Sequence, residues 1–268
     1  MIDLFGAYCG VDKKDRRSPK MNDVIEFIVH ADDFGFSKSV NQCINKCFAE
    51  KWLSEASLMV NMPACDEAVE IARRHGYAHR VGLHLNLTEG EPLTELIKEC
   101  PRFCSEEGIF NKVFHLSTVG RFFISQKEKL AAQIEILAQI KKFCAYGGLM
   151  MKVDSHHHAH TDWAIYKILK PIALEFGFTS MRISADMHNV RIDKELYKRL
   201  YNRDVRKHFQ TTNHFDGIVP GLIANASGKT EVMVHPLLWD GQLCDSRKDF
   251  AENIRRIISV PNSVIQKV

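Results

Sequence analysis

At 268 residues, 45% hydrophobic and 26% charged, the chain has the composition of one large globular domain with room for a sizeable core. Its 36 basic and 33 acidic side chains leave a net charge of +3, too little to mark nucleic acid or a membrane surface as partner, so a small molecule is expected. Eight cysteines without the short-spaced pairs of a zinc module or the density of a secreted disulfide scaffold, no apolar leader and no run near the roughly 18 residues of a membrane span argue against those classes and a bilayer protein, and predict free thiols in a reducing cytoplasm.

Residues 1–21, which include "VDKKDRRSPK", have no hydrophobic periodicity and read as a basic, disordered appendage to a single domain over 22–268, with Met21 as a second candidate start. From residue 24 onward, short β-branched or apolar runs alternate with longer stretches of helical period, the signature of βα units around a parallel sheet. A strand is expected at "VIEFIVHA" (24–31), then a helix over "KSVNQCINKCFAEKWL" with Val40, Ile44, Cys47 and Phe48 on one face behind a Ser37 cap. Strands follow at "ASLMVNM" (56–62) and "RVGLHLNL" (80–87). Residues 88–124, rich in Pro, Gly and charge, read as an insertion. A long amphipathic helix begins at Gln126, with Ser125 and Glu128 forming a capping box and Gly147 closing the end. After the strand "LMMKVDS" (149–155), Pro171 predicts a kink or break in the helical stretch 163–176. Further strands are expected at "TSMRIS" (179–184) and "TEVMVHP" (230–236), and a closing helix at "DSRKDFAENIRRIIS". The final barrel strand is weak or missing.

Four chemically loaded clusters, "HADDFG", "GLHLNL", "DSHHHAH" and "MVHP", each fall where a strand candidate ends. A (β/α) barrel gathers those ends at one mouth, so the fold expected is α/β, a distorted (β/α) TIM-like barrel. Asp32 and Asp33 read either as a turn or helix cap before Ser37, or as one carboxylate on a metal and one facing a water. His84 shares its strand face with Asn86, opposite Leu83, Leu85 and Leu87, and reads as a hydrogen-bonded strand histidine or as a ligand. Among His156, His157, His158 and His160, only a subset can point at one metal if the strand continues. One carboxylate and two imidazoles leave positions open for water and substrate. The second carboxylate is then a candidate general base, and His235 a candidate acid for the departing group.

These residues resemble the YdjC-like carbohydrate deacetylase family. "HADDFGFSKSVNQCI" looks like its opening "NADDFGLS", "VGLHLNLTEGEPL" like its "GxHxxLTxGxPL", "KVDSHHHAH" like its "DSHHHVH" and "EVMVHP" like its "EVMxHP", in order from about residue 24 to about 240. The resemblance implies a metal-dependent hydrolase that removes the N-acetyl group of an acetylated amino sugar or chitooligosaccharide, with a small sugar substrate and no nucleic-acid or membrane partner. A homo-oligomer is compatible with it. By motif position it implies Asp33, His84 and His156 as metal ligands and Asp32 as the base. His235 would be the acid by analogy with the broader polysaccharide deacetylases. The other histidines would orient the site or face the sugar. Apart from the resemblance, Phe34, Trp163 and Trp239 read as core residues or, as the alternative, as stacking partners for a sugar ring. One divalent ion is implied; the family is associated with magnesium, whereas two imidazoles suit zinc, cobalt or nickel better. His30 stands where the family motif has asparagine. Another metallohydrolase on the same fold, or a sugar-binding protein without turnover, are the alternatives.

Overall fold

The computed structural model describes residues 24–185, 192–218, 222, 226–245, 248–260 and 262–266. The expected appendage over residues 1–21 therefore lies outside the described residues.

An eight-stranded sheet organises the chain. Its strands are β1 (Ile25–Phe34), β2 (Glu55–Leu58), β3 (Val81–Leu85), β4 (Lys152–Ser155), β5 (Ser180–Met181), β6 (His214–Gly217) and β7 (Lys229–Val234), in the spatial order β5-β4-β3-β2-β1-β7-β6, with Ser263–Ile265 added beside β1. Every pairing in it is parallel. The two edges approach through the segment before β6, where Gln210 bridges to Ser180 and donates its N–H to the Thr179 carbonyl at 2.9 Å. The sheet thus curls into the distorted barrel expected from the βα alternation. The closing strand Ser263–Ile265, weak in the sequence, pairs with the first three residues of β1. A separate antiparallel trio, Pro236–Trp239, Gln242–Asp245 and Lys248–Asp249, follows β7 and precedes the closing helix Phe250–Ile258; neither it nor β6 was marked by a distinctive sequence pattern.

Strand periodicity sorts the side chains into two sets. Phe27, Val29, Ala31, Leu58, Leu83, Val153 and Val232 join the hydrophobic core with the helices α1 (Lys38–Ala49), α2 (Cys65–Arg74), α6 (Gln126–Tyr146) and α7 (Trp163–Glu175). The alternate set, His30, Asp32, Glu55, Ser57, His84, Lys152, Asp154, Arg182 and Glu231, is equally buried but polar or charged. A barrel interior is ordinarily filled by Val, Ile and Leu; this one is filled by ion pairs. The insertion after β3 contains three short helices, α3 (Glu95–Lys98), α4 (Val113–Leu116) and α5 (Thr118–Phe122).

Local signals act as expected at most helix ends. The Ser37 hydroxyl accepts from Val40 N, and both halves of the Ser125/Glu128 capping box are present. Gly147 caps α6 at φ +64°. The expected break at Pro171 does not occur: α7 runs as one helix from Trp163 to Glu175. Pro171 and Lys167 are both exposed, so the carbonyl that loses its N–H partner lies on the side of the helix open to water.

Candidate active site

The site begins with a β-bulge. The β1–β2 register slips between Ala31 and Phe34, and Asp33 adopts φ +66°. On a regular strand Asp32 and Asp33 would point to opposite faces; the bulge releases that constraint and both line one cavity. Gly35 completes the turn at φ +89°, where a Cβ would come within 3.1 Å of the Cys65 backbone and 3.2 Å of the Met59 carbonyl. Its N–H donates to Asn41 Oδ1, tying the turn to α1.

The carboxylate of Asp33 is the meeting point of two imidazoles. Its Oδ1 lies 3.2 Å from His84 Nε2 and 2.8 Å from His156 Nδ1. The opposite nitrogen of each ring is engaged by another carboxylate: His84 Nδ1 lies 2.7 Å from Asp154 Oδ1, and His156 Nε2 lies 3.1 Å from Glu89 Oε2. An imidazole that donates its outer N–H to a carboxylate turns a bare lone pair inward. Two inward lone pairs facing one carboxylate oxygen repel it unless a proton or a cation lies between. The buried His84 Nε2 also lacks a satisfactory hydrogen-bond partner among the described residues. These three ligand atoms are close enough for one cation to bind all of them, and one carboxylate with two imidazoles is a donor set suited to a divalent transition metal.

The electrostatics agree with that geometry. Burial opposes the charge on Asp33, but His156 and His84 hold its pKa far below the usual carboxylate range. Burial likewise works against protonated His84, yet Asp154 and Asp32 raise it to about 10. A site that attracts a proton this strongly attracts a divalent cation in its place.

Asp32 is placed differently. It is 2% exposed, and Arg182 grips it through both oxygens, Nη1 to Oδ2 at 2.8 Å and Nη2 to Oδ1 at 2.7 Å. Burial would raise the Asp32 pKa, but the guanidinium overrides it and holds the group at about 2. The same Arg182 reaches Asp154 Oδ2 at 2.8 Å and Glu231 Oε1 at 2.6 Å, and stacks on Phe215 at 4.7 Å. Lys152 links Glu231 to Glu55, and His30 bonds Glu55, Ser57 and Asp154. His30, Asp32 and Asp154 are also close enough for a cation, but Arg182 already supplies positive charge to both carboxylates.

The strand β4 ends before the histidine run. His156 to Thr161 form a 3₁₀ turn in which His157 and His158 take φ +51° and +58°, so the simple alternation of a continued strand does not apply. His156 faces Asp33. His157 bonds Thr88 Oγ1 at 3.0 Å, and His160 bonds Ser155 Oγ at 2.6 Å. Burial, helped by Arg182, keeps His158 low at about 4, and burial helped by neighbouring His158 puts His160 at about 3, so both are neutral at physiological pH. His235 follows β7; its backbone N–H donates to Asp245 Oδ1 at 3.0 Å. A cavity of about 250 Å³ is lined by Asp32, Asp33, Phe36, Val40, Glu89, His156, His157, His235, Pro236 and Leu237. A second, of about 270 Å³, lies between the C-terminal ends of α1 and α2, away from this cluster, and its Arg80 is occupied by the Leu53 and Ser54 carbonyls.

All five residues singled out from the sequence therefore belong to one region: Asp32, Asp33, His156 and His235 on the cavity, and His84 directly behind Asp33. The sequence reading assigned no part to Asp154, Glu89 or Arg182. Asp154 lies within "KVDSHHHAH", and its place on the same strand face as Lys152 is its only signal in the sequence. Of the aromatic residues considered for stacking, Phe34 is fully buried and Trp163 packs against the core; the side chain of Trp239 lies outside the described residues.

Residues 26–257 match the profile of the family described as YdjC-like protein. A carbohydrate deacetylase of Geobacillus stearothermophilus is 33% identical over 215 residues, covering 80% of each chain. One of Clostridium beijerinckii is 26% identical over 245 residues, 90% of this chain and 93% of that one. One of Brevibacillus brevis is 35% identical over a shorter alignment of 152 residues, 57% of each. The fold is shared with an Enterococcus faecalis crystal structure titled a putative cellobiose-phosphate cleavage protein, with a TM-score of 0.62, 22% identity, and 81% and 83% of the two chains covered.

Proposed function

We propose that this chain, which belongs to the YdjC-like protein family, is a metal-dependent carbohydrate deacetylase that hydrolyses the N-acetyl group of an acetylated amino sugar or chitooligosaccharide to acetate and a free amine. The observation that carries this reading is the convergence of His84 Nε2 and His156 Nδ1 on Asp33 Oδ1, with their outer nitrogens engaged by Asp154 and Glu89. Asp33, His84 and His156 would hold one divalent cation. Such an ion supplies positive charge for a carbonyl oxygen and lowers the pKa of a water.

The remaining roles fall to side chains on the same cavity. Asp32 is ionised at every physiological pH because Arg182 holds it at about 2, and it accepts the proton of the attacking water. Arg182 also limits the strength of that base, so Asp32 acts by position more than by affinity for the proton. Attack converts the planar acetamide into a tetrahedral oxyanion, whose collapse needs a proton on nitrogen. His235, which lines the same cavity as Asp32, would give it. The C–N bond then breaks and releases acetate and the amine. Two imidazole ligands favour zinc, cobalt or nickel; magnesium remains the family-associated ion. No described helix is long and apolar enough to cross a membrane.

The test is acetate release from diacetylchitobiose by protein stripped with a chelator and then given magnesium, zinc, cobalt or nickel separately. Restoration by at least one ion is expected. Failure across related N-acetylated sugars, in protein that does bind the metal, would favour a sugar-binding protein or a different metallohydrolase.

A further inference from the structure

The cavity above Asp32 and Asp33 has two unlike walls. Phe36 and Val40, at the start of α1, stand with Pro236 and Leu237 of the strand that packs against that helix, and together they present carbon. Glu89 and His157 present polar atoms, and Lys112 from the insertion stands beside them, its Nζ 3.4 Å from both Glu89 Oε2 and His157 Nε2. Phe36 is partly exposed and is the one phenyl ring among the described residues lining the cavity.

The polar wall is built to a fixed pattern. Thr88 Oγ1 donates to Asn86 Oδ1 and is therefore free to accept from His157 Nδ1–H, which leaves His157 Nε2 as an acceptor facing Lys112. Lys112 and His157 both hold left-handed backbone, at φ +65° and +51°. Side-chain placement there is maintained against local conformational preference.

A pyranose ring has the same division: C–H groups on its faces and hydroxyls around its edge. At about 250 Å³ the cavity is smaller than the roughly 300–1,000 Å³ clefts that enclose drug-sized ligands, which suits one ring.

We propose that Phe36 is the platform for the apolar face of a single pyranose ring, and that Glu89, His157 and Lys112 receive hydroxyls at its edge, making these four the specificity-determining residues. The inference rests on the amino-sugar reading above. It puts the ring whose acetamide reaches Asp32 and His235 in this cavity, and any further sugar of a chain outside it.

Binding can be measured apart from turnover. Full-length protein kept metal-free by a chelator is titrated with N-acetylglucosamine and followed by saturation-transfer NMR. Transfer should be strongest to the protons of one ring face. Phe36→Ala should weaken binding about tenfold, because an aromatic contact of this size is lost, whereas Phe36→Tyr should retain it. Lys112→Met should narrow the difference in affinity between N-acetylglucosamine and N-acetylgalactosamine, with an unchanged melting temperature showing that the fold is intact. Undiminished binding by a folded Phe36→Ala protein, or no binding by the wild type, would overturn the platform. Acetate release that is insensitive to Phe36→Ala would also overturn it while leaving deacetylation standing. Face-selective saturation transfer without acetate release under any cation would do the reverse.

Discussion

Arg182 holds Asp32 by both carboxylate oxygens, at 2.8 and 2.7 Å, with neither residue more than 2% exposed. The pair links the floor of the cavity to the charged interior of the barrel, since the same guanidinium also meets Asp154 and Glu231.

Removing that guanidinium leaves Asp32 without its bidentate partner and takes a cation from Asp154 and Glu231, which keep His84 and Lys152. Arg182→Met is expected to cost about 3–5 kcal/mol of stability, the usual consequence of breaking a buried ion pair from one side. Urea denaturation of the variant against wild type measures it. Arg182→Lys keeps a charge but cannot form the bidentate pair, so it should recover much of the stability and little of the activity.

Asp154 fixes the tautomer of His84 without lining the cavity. Asp154→Asn should weaken cation binding about 10–100-fold, read by competition with a chromophoric chelator on protein of unchanged circular dichroism. Glu89→Gln should act in the same direction on His156, with a smaller effect because the Glu89 side chain is 37% exposed.

The start of α6 should respond to acid. Glu128 receives Arg102 at 2.6 and 2.5 Å and closes the capping box at Ser125. The Arg102 hydrogen bonds, against a smaller cost of burial, lower its pKa to about 2. A folded-state pKa below the unfolded value stabilises the protein above the unfolded pKa, roughly 4.3. That contribution falls away between about pH 4.3 and 2. Glu128→Gln should cost about 1 kcal/mol at neutral pH and flatten the stability–pH curve in that window, as thermal melts at stepped pH would show.

A side chain at Gly35 would be strained. At φ +89° and with backbone at 3.1 Å from a built Cβ, Gly35→Ala should destabilise by about 1–3 kcal/mol and disturb the Asp33 turn. Cation affinity should fall along with the melting temperature. A variant that lost stability alone would show the turn to be independent of the site.

Sequence periodicity is sufficient for β1, β3 and β7, which carry apolar residues at alternate positions, and capping residues mark the ends of α1 and α6. It was poorer where local signals are weak or are overridden: β6 is four residues long, and Pro171 is accommodated on the exposed side of α7. At the site, motif position brought forward Asp32, Asp33, His84, His156 and His235, all of which the fold gathers. The bulge that lets two adjacent aspartates share a cavity is a property of β1–β2 pairing, so the chain around Asp32 alone did not disclose it. Arg182 was equally hidden: on "TSMRIS" it reads as an ordinary strand arginine, and only the curl of the sheet brings it to Asp32, 150 positions away in sequence. Phe34 is core, the reading its strand position favours, whereas Phe36 carries no sequence signal of its own and reaches the cavity only through the turn at Gly35.

The most direct measurement is acetate release from diacetylchitobiose by wild type and Asp32→Asn, both loaded with the same cation and with metal content determined on the same samples. Equal metal content with at least a roughly hundredfold loss of rate in the variant is the predicted result, because Asp33, His84 and His156 would retain the ion while the proton acceptor is gone. Turnover by Asp32→Asn at the wild-type rate would contradict the assignment of Asp32 and with it the proposed division of labour between the two adjacent aspartates.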